Sequence, residues 1–145
     1  MVGVPGGFSF GDYLRCGAIA ANSPICQSLI KHAERGGYAL GVCNGFQILT
    51  ETGLLPGALR RNAGLKYICR TVGLEVASAD TAFTSGYAKG DVVNVPIAHH
   101  DGNYFVTEEK LAQLQGEDRI AFTYTDNPNG SVADIAGVVS KNRRV

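Results

Sequence analysis

The segment most able to do chemistry is Gly41-Val42-Cys43-Asn44-Gly45, in which glycines bracket a cysteine. An apolar run precedes the segment and a helical pattern follows it, as in a nucleophile elbow with cysteine in place of serine. Such a turn exposes its side chain at the carboxyl end of the sheet, where ligands bind in open α/β folds. The helix N-terminus favours a thiolate, and the N–H of Asn44 lies where an oxyanion develops. We predict that Cys43 is a nucleophile; the alternative is an inert buried thiol.

Two other segments could contribute to a site. Pro5-Gly6-Gly7 follows an apolar run, and such a loop either turns backbone N–H groups toward an anion or is a plain tight turn. Ala98-His99-His100-Asp101 ends a predicted strand and could supply a base, ligands or a solvated turn. Neighbours in an extended chain point to opposite faces, so at most one of these histidines faces a given pocket.

The remaining cysteines, Cys16, Cys26 and Cys69, lack glycine brackets, and we expect inert thiols. No Cys-x-x-Cys or Cys/His cluster has zinc spacing, so no metal site is predicted. With no secretory signal in the sequence, we expect free thiols and a cytoplasmic location. The sequon Asn129-Gly130-Ser131 is then a chance match.

Composition limits the function classes. The 145 residues suit one domain, with 45% apolar and 18% charged residues and a formal net charge of +0. This balance excludes a disordered charged tail and argues against nucleic acid as the main partner. No apolar run approaches the roughly 20 residues of a membrane helix, so no membrane partner is expected.

The sequence predicts a helix, a strand and a second helix as the elements that position Cys43. Ser23-Pro24 is a helix start, Gly36-Gly37 can end that helix, and residues 38–42 suit a buried strand. A second helix follows to Gly53, which favours an alternating α/β fold with a parallel sheet. The second half changes to strand-rich, antiparallel character with one short helix at 108–115. Its predicted strands are 66–76, 91–98, 103–107, 119–124 and 135–139.

The ends of the sequence resemble interrupted strands. Residues 1–4 read as the end of a strand, and Val145 reads as the first residue of another. We expect a fragment of a longer domain, incomplete at both ends; the alternative is a naturally short chain with frayed ends.

The chain resembles class I (triad-type) glutamine amidotransferases, and among them the glutaminase subunits of phosphoribosylformylglycinamidine synthases. The resemblance runs nearly end to end. Its most specific blocks are Pro5-Gly6-Gly7-Phe8-Ser9-Phe10-Gly11-Asp12-Tyr13-Leu14-Arg15-Cys16-Gly17-Ala18-Ile19-Ala20 and Leu40-Gly41-Val42-Cys43-Asn44-Gly45-Phe46-Gln47-Ile48-Leu49.

The resemblance implies one partial, doubly wound α/β domain over residues 1–145, with a mostly parallel sheet and an antiparallel second half. It implies hydrolysis of glutamine to glutamate and ammonia. Cys43 would form a glutamyl thioester, Gly6, Gly7 and the Asn44 N–H would form the oxyanion hole, and Gln47 and His99 would contact glutamine.

The same resemblance implies partners for the chain. Ammonia would pass to a synthetase subunit that makes formylglycinamidine ribonucleotide, and the assembly could include a small accessory subunit. ATP and magnesium would belong to that synthetase, and this chain would need no cofactor. Asp12, Arg15, Arg60 and Arg61 would face the partner.

One departure from the family concerns the base. A family His-Pro-Glu near the C-terminus supplies the general base and its orienting carboxylate, and this chain contains no His-Pro-Glu. Thioester formation and hydrolysis both need proton transfer, so little turnover is expected from this chain alone. The alternatives are another Cys-dependent α/β hydrolase using His99 or His100, or a non-catalytic remnant that docks on the synthetase.

Overall fold

A computed structural model describes residues 1–8 and 16–145, with the backbone alone at Cys16. The described chain divides into two compact units: Met1–Ala58 with Arg144–Val145, and Leu59–Arg143. No described helix is long and apolar enough to cross a membrane.

The first unit is a small α/β layer. Its strands β1 and β2 pair in parallel, with Val2 opposite Ala39 and Val4 opposite Gly41, as the alternating pattern predicts. Its elements are β1 (Val2–Val4), α1 (Cys16–Ala21), α2 (Pro24–Glu34), β2 (Ala39–Gly41) and α3 (Asn44–Glu51).

Helix α2 begins and ends as predicted. The Ser23 hydroxyl accepts a hydrogen bond from the N–H of Cys26, and Pro24 occupies the first turn. Gly36 follows the helix with a φ of 82°, a conformation that favours glycine. The turn at the end of the helix therefore leads directly into β2.

The last residues of the chain lie against the opposite edge of β2 from β1. The N–H of Ala39 donates to the carbonyl of Arg144 at 2.9 Å. The Arg144 guanidinium donates to the carbonyl of Gly36 at 2.6 Å, and Val145 is buried. At Ala39, strand β2 thus has a backbone hydrogen bond on the edge opposite β1 as well.

The second unit is built on an antiparallel sheet. Within the described residues the strand order is β5-β4-β7-β8, and β3 pairs separately with β6. The antiparallel second half is confirmed. The elements are β3 (Ala58–Arg60), β4 (Ile68–Val76), β5 (Val92–His99), β6 (Asn103–Phe105), α4 (Glu108–Gly116), β7 (Ile120–Tyr124), a 3-10 turn (Val132–Asp134) and β8 (Ile135–Val138).

Besides the 3-10 turn, one helix and one strand were not predicted from the sequence. Helix α1 has six residues of mostly small side chains, and β3 has three residues. Neither is long enough to show a hydrophobic period. The boundaries of β4, β5, β7 and α4 lie within two residues of the predicted ones.

The sequon is part of the interior. Asn129 is 1% exposed, and its amide donates to the carbonyl of Gly102 at 2.8 Å. Its Oδ1 accepts from the N–H and the hydroxyl of Ser131 at 3.1 and 2.8 Å. Asn129 therefore ties the turn between β5 and β6 to the loop before β8.

We expect Asn129→Ala to destabilise the protein by about 2 kcal/mol, because it leaves the Ser131 N–H without its acceptor and removes one of the two side-chain donors to the Gly102 carbonyl. Asn94→Ala is the matched control, since Asn94 is exposed on β5. Chemical denaturation measures both changes. Equal losses in the two variants would contradict the anchoring role.

Candidate functional site

Cys43 lies in the turn between β2 and α3 with its side chain exposed. Its backbone has φ 57° and ψ −117°, a conformation that costs a non-glycine residue of the order of 1–3 kcal/mol. Its carbonyl accepts the N–H groups of Phe46 and Gln47 at 3.0 and 3.3 Å and so begins the helix. The elbow geometry expected from the sequence is present, with the thiol at the helix N-terminus.

The bracketing glycines make this turn possible. A Cβ on Gly41 would lie 2.6 Å from the carbonyl oxygen of Gly45 and would overlap the side chain of Leu49. A Cβ on Gly45 would overlap the carbonyl oxygen of Val4 in β1. Helix α3 therefore crosses the end of β1 at a distance that only glycine permits.

The Gly6–Gly7 loop lies beside the thiol. A Cβ on Gly6 would be 2.6 Å from the Cβ and 3.0 Å from the Sγ of Cys43. Gly7 has φ 146°, which also favours glycine. Part of the predicted oxyanion loop is thus in contact distance of the predicted nucleophile.

The side chain of Asn44 joins this loop to α3. Asn44 is 2% exposed, and its Oδ1 accepts the N–H of Gly7 at 3.1 Å. Its Nδ2 donates to the Oε1 of Gln47 at 2.8 Å. The sequence analysis assigned only the backbone N–H of Asn44 to the oxyanion hole and missed this role of its side chain. In this state the N–H of Gly7 points at Asn44 rather than at an incoming oxyanion.

Gln47 is placed one turn along α3, as predicted, with its side chain oriented by Asn44. Behind it, α1 packs closely, because a Cβ on Gly17 would lie 2.8 Å from the carbonyl carbon and oxygen of Gln47. Gly17 therefore sets the approach of α1 to α3, a contact that no local pattern in the sequence indicates.

One His-x-Glu sequence, His32-Ala33-Glu34, does occur in α2. The His32 Nε2 lies 3.2 Å from the carbonyl of Tyr38, so this nitrogen carries the proton and donates it. The imidazole also fills the space over Gly37, whose Cβ would overlap the ring. His32 therefore closes the turn into β2 and does not serve as a base through Nε2.

The other described thiols differ from Cys43 in setting. Cys26 is buried in α2, and Cys69 is exposed on β4 opposite Ala98. All three described thiols are free. Neither Cys26 nor Cys69 lies in a strand-to-helix turn.

His99 is the last residue of β5, in the second unit. Burial lowers the pKa of its imidazole, while the Asp101 carboxylate acts in the opposite direction. Its Nδ1 lies 3.1 Å from the Oδ1 of Asn62, a residue that is fully buried. Sequence reasoning placed His99 at the strand end correctly and missed Asn62.

The residues expected to face a partner fall in different places. The Arg60 guanidinium lies 3.4 Å from the ring centroid of Phe105, and Arg61 is 3.8 Å from the Asp101 carboxylate. Asp12 and Arg15 lie outside the described residues.

Comparison with known proteins identifies the family. The model of the CobB/CobQ-like glutamine amidotransferase domain matches residues 1–145. The chain belongs to this family. Its relatives include phosphoribosylformylglycinamidine synthase subunits PurQ from Roseobacter denitrificans (72% identical), Ruegeria sp. strain TM1040 (74%) and Cereibacter sphaeroides (75%). Each match covers 100% of this chain and 65% of the relative, so the chain spans about two thirds of their length.

A solved structure shows the same fold. The structure of PurLQS from Thermotoga maritima superposes with a TM-score of 0.88 at 44% identity, covering 99% of this chain and 64% of that one. The α/β fold class expected for glutamine amidotransferases is thereby confirmed.

We expect Gly45→Ala to cost about 3 kcal/mol of unfolding free energy, since its methyl group would overlap the Val4 carbonyl. Gly3→Ala is the control, because no atom lies within 4 Å of a Cβ placed there. Chemical denaturation of both variants measures the difference. The close crossing of α3 over β1 would be wrong if Gly45→Ala behaved like Gly3→Ala.

We expect Asn44→Ala to speed hydrogen exchange at the Gly7 amide by roughly tenfold, because that N–H loses its acceptor. Asn44→Asp retains an oxygen in the same position and should keep Gly7 protected. Hydrogen exchange followed by NMR resolves the two variants. Unchanged exchange in Asn44→Ala would show that the side chain does not hold the loop.

Proposed function

We propose that the protein hydrolyses glutamine to glutamate and ammonia, with Cys43 as the nucleophile. The observation that carries this proposal is the exposed thiol of Cys43, held at φ 57° between a parallel strand and a helix N-terminus. A strained backbone conformation of this kind is retained only where the surrounding structure holds it in place, and such conformations are common at active sites. Membership of a glutamine amidotransferase family supports glutamine as the substrate.

In the proposed reaction the Cys43 thiolate attacks the side-chain amide carbon of glutamine. The carbon–nitrogen bond breaks, and the leaving amino group takes up a proton and departs as ammonia. A glutamyl thioester remains on Cys43. Water then cleaves the thioester, giving glutamate and the free thiol. The negative oxygen formed in each step needs backbone donors, and the Gly6–Gly7 loop and the N–H of Asn44 are the groups we assign to it.

The base for these steps needs a histidine with an available nitrogen lone pair. In the described part of the first unit the histidine is His32, whose ring packs over Gly37 and donates from Nε2 to the carbonyl of Tyr38, which gives it a structural role in the turn into β2. We assign the base to the His-Pro-Glu motif of the family, which this sequence does not contain. Residues 1–145 alone should therefore turn over poorly.

The relatives support one destination for the ammonia. We propose that it passes to a synthetase subunit that uses ATP and magnesium to convert formylglycinamide ribonucleotide to formylglycinamidine ribonucleotide, in the cytoplasm. PurQ relatives at 72–75% identity and the PurLQS structure support such an assembly, including a small accessory subunit. In this proposal the chain itself holds no cofactor, and Arg60 and Arg61 contribute to the partner surface.

We expect Cys43→Ala in the native protein to lower ammonia release from glutamine by at least about a thousandfold. Cys69→Ala is the matched control, because Cys69 is also an exposed thiol. An electrophilic glutamine analogue, mapped by peptide mass spectrometry, should modify Cys43 selectively. Equal labelling of Cys43 and Cys69, or full activity in Cys43→Ala, would refute the proposal.

A further inference from the structure

The N–H of Gly7 is held by a chain of two side-chain amides that begins at Asn44 and ends at Gln47. Gly7 donates to the Oδ1 of Asn44 at 3.1 Å, and the Nδ2 of Asn44 donates to the Oε1 of Gln47 at 2.8 Å. The backbone determines the direction of this chain, because an N–H can only donate and the Asn44 atom that faces it must be the oxygen. The Asn44 amide therefore has its nitrogen toward Gln47.

This chain lies next to the thiol. A Cβ placed on Gly6 would be 3.0 Å from the Sγ of Cys43, and Asn44 is the first residue of α3 after Cys43. All of these residues belong to the first unit. An N–H carries one proton, so Gly7 cannot make a full hydrogen bond to Asn44 and to an oxyanion at the same time. In the observed arrangement Asn44 withholds the Gly7 N–H from an oxyanion formed at Cys43.

Release of the Gly7 N–H takes a donor away from Asn44. The Asn44 side chain is buried, with 2% exposure, so the loss of this donor to Oδ1 costs free energy unless another donor replaces it. The neighbouring amide can supply the replacement, since a half-turn of both amides lets the Nε2 of Gln47 donate to the Oδ1 of Asn44. The Asn44 nitrogen then faces Gly7, and because two donors cannot bond to each other, the Gly7 N–H is directed elsewhere.

The two arrangements differ in what Gln47 offers to a ligand. In the observed arrangement its Oε1 accepts from Asn44. In the reversed arrangement this oxygen is turned away from Asn44 and can accept from an N–H group of a ligand. A ligand that donates to Oε1 therefore favours the reversed arrangement through its differential affinity for the two states.

We propose that the amide pair of Asn44 and Gln47 is a switch that withholds the Gly7 N–H until a ligand with an N–H donor binds Gln47. Resting on the proposed function, this ligand is glutamine, whose ammonium and carboxamide groups both carry N–H donors. The side chain of Asn44 is then a positioning group that acts through Gly7. The oxyanion completes the exchange, because a hydrogen bond to an ionised oxygen is about twice as strong as one to a neutral amide oxygen.

Gln47→Glu in the native protein tests the reversal. A carboxylate can only accept, so it retains the Asn44 nitrogen and prevents the half-turn. We expect kcat for ammonia release to fall by roughly a hundredfold, the usual effect of losing one oxyanion donor, with a smaller change in KM. Gln27→Glu is the matched control, since Gln27 is exposed on α2, and it should leave kcat unchanged.

The same substitution in an Asn44→Ala background separates the switch from an effect of the new charge on the thiolate or the substrate. Without the Asn44 side chain nothing withholds the Gly7 N–H, so Gln47→Glu should lower kcat by less than about threefold. An equal loss from Gln47→Glu in both backgrounds would overturn the switch and leave the proposed function intact.

Hydrogen exchange at the Gly7 amide, followed by NMR at neutral pH without substrate, tests the switch independently of activity. The Gly7 N–H is released when the pair reverses, so Gln47→Glu should slow its exchange by roughly tenfold, whereas Asn44→Ala speeds it. Faster exchange in Gln47→Glu, the result expected if Gln47 only supports the helix, would refute the switch. Absence of ammonia release by the wild-type protein would instead refute the proposed function and leave the exchange rates interpretable.

Discussion

The close contact between Gly45 and the Val4 carbonyl is the constraint on which the candidate site depends. It lets α3 begin directly over the end of β1, so the turn from β2 must be short. A short turn forces Cys43 into a left-handed conformation and directs its side chain outward. A larger residue at position 45 would push the helix away and relax the turn.

The Gly6–Gly7 loop depends on the same helix. Gly6 reaches Cys43 because it lacks a side chain, and the N–H of Gly7 is held by Asn44 from the first turn of α3. The N–H of Gly7, which the proposed function assigns to an oxyanion, donates to Asn44 Oδ1 in this structure. In the proposed reaction an oxyanion would therefore have to replace Asn44 as the acceptor of this N–H.

The second unit shows how buried amides build a rigid strand end. Asn62 and Asn129 both place their side chains around Gly102, one through its N–H and the other through its carbonyl. Each amide uses donors and acceptors on neighbouring backbone, which a hydrophobic side chain could not do. The turn after β5 is thereby held by side-chain amides, and the Nε2 of His99 has no hydrogen-bond partner among the described residues.

The sequence by itself determined the helices and strands that are long enough to show a hydrophobic repeat. It also determined the elbow at Cys43 and the change from a parallel first half to an antiparallel second half. These follow from local rules: glycine brackets, a Ser-Pro helix start, and alternating β-branched residues. Tertiary structure alone decided the contacts of Asn44, Asn62 and Gly17. Their partners lie far away along the chain, 37 residues for both Gly7–Asn44 and Asn62–His99, and no local pattern encodes a pairing at that distance. From the sequence alone an asparagine is expected at the polar surface. Its role as a buried hydrogen-bond partner becomes apparent only when folding brings unpaired backbone groups to its side chain.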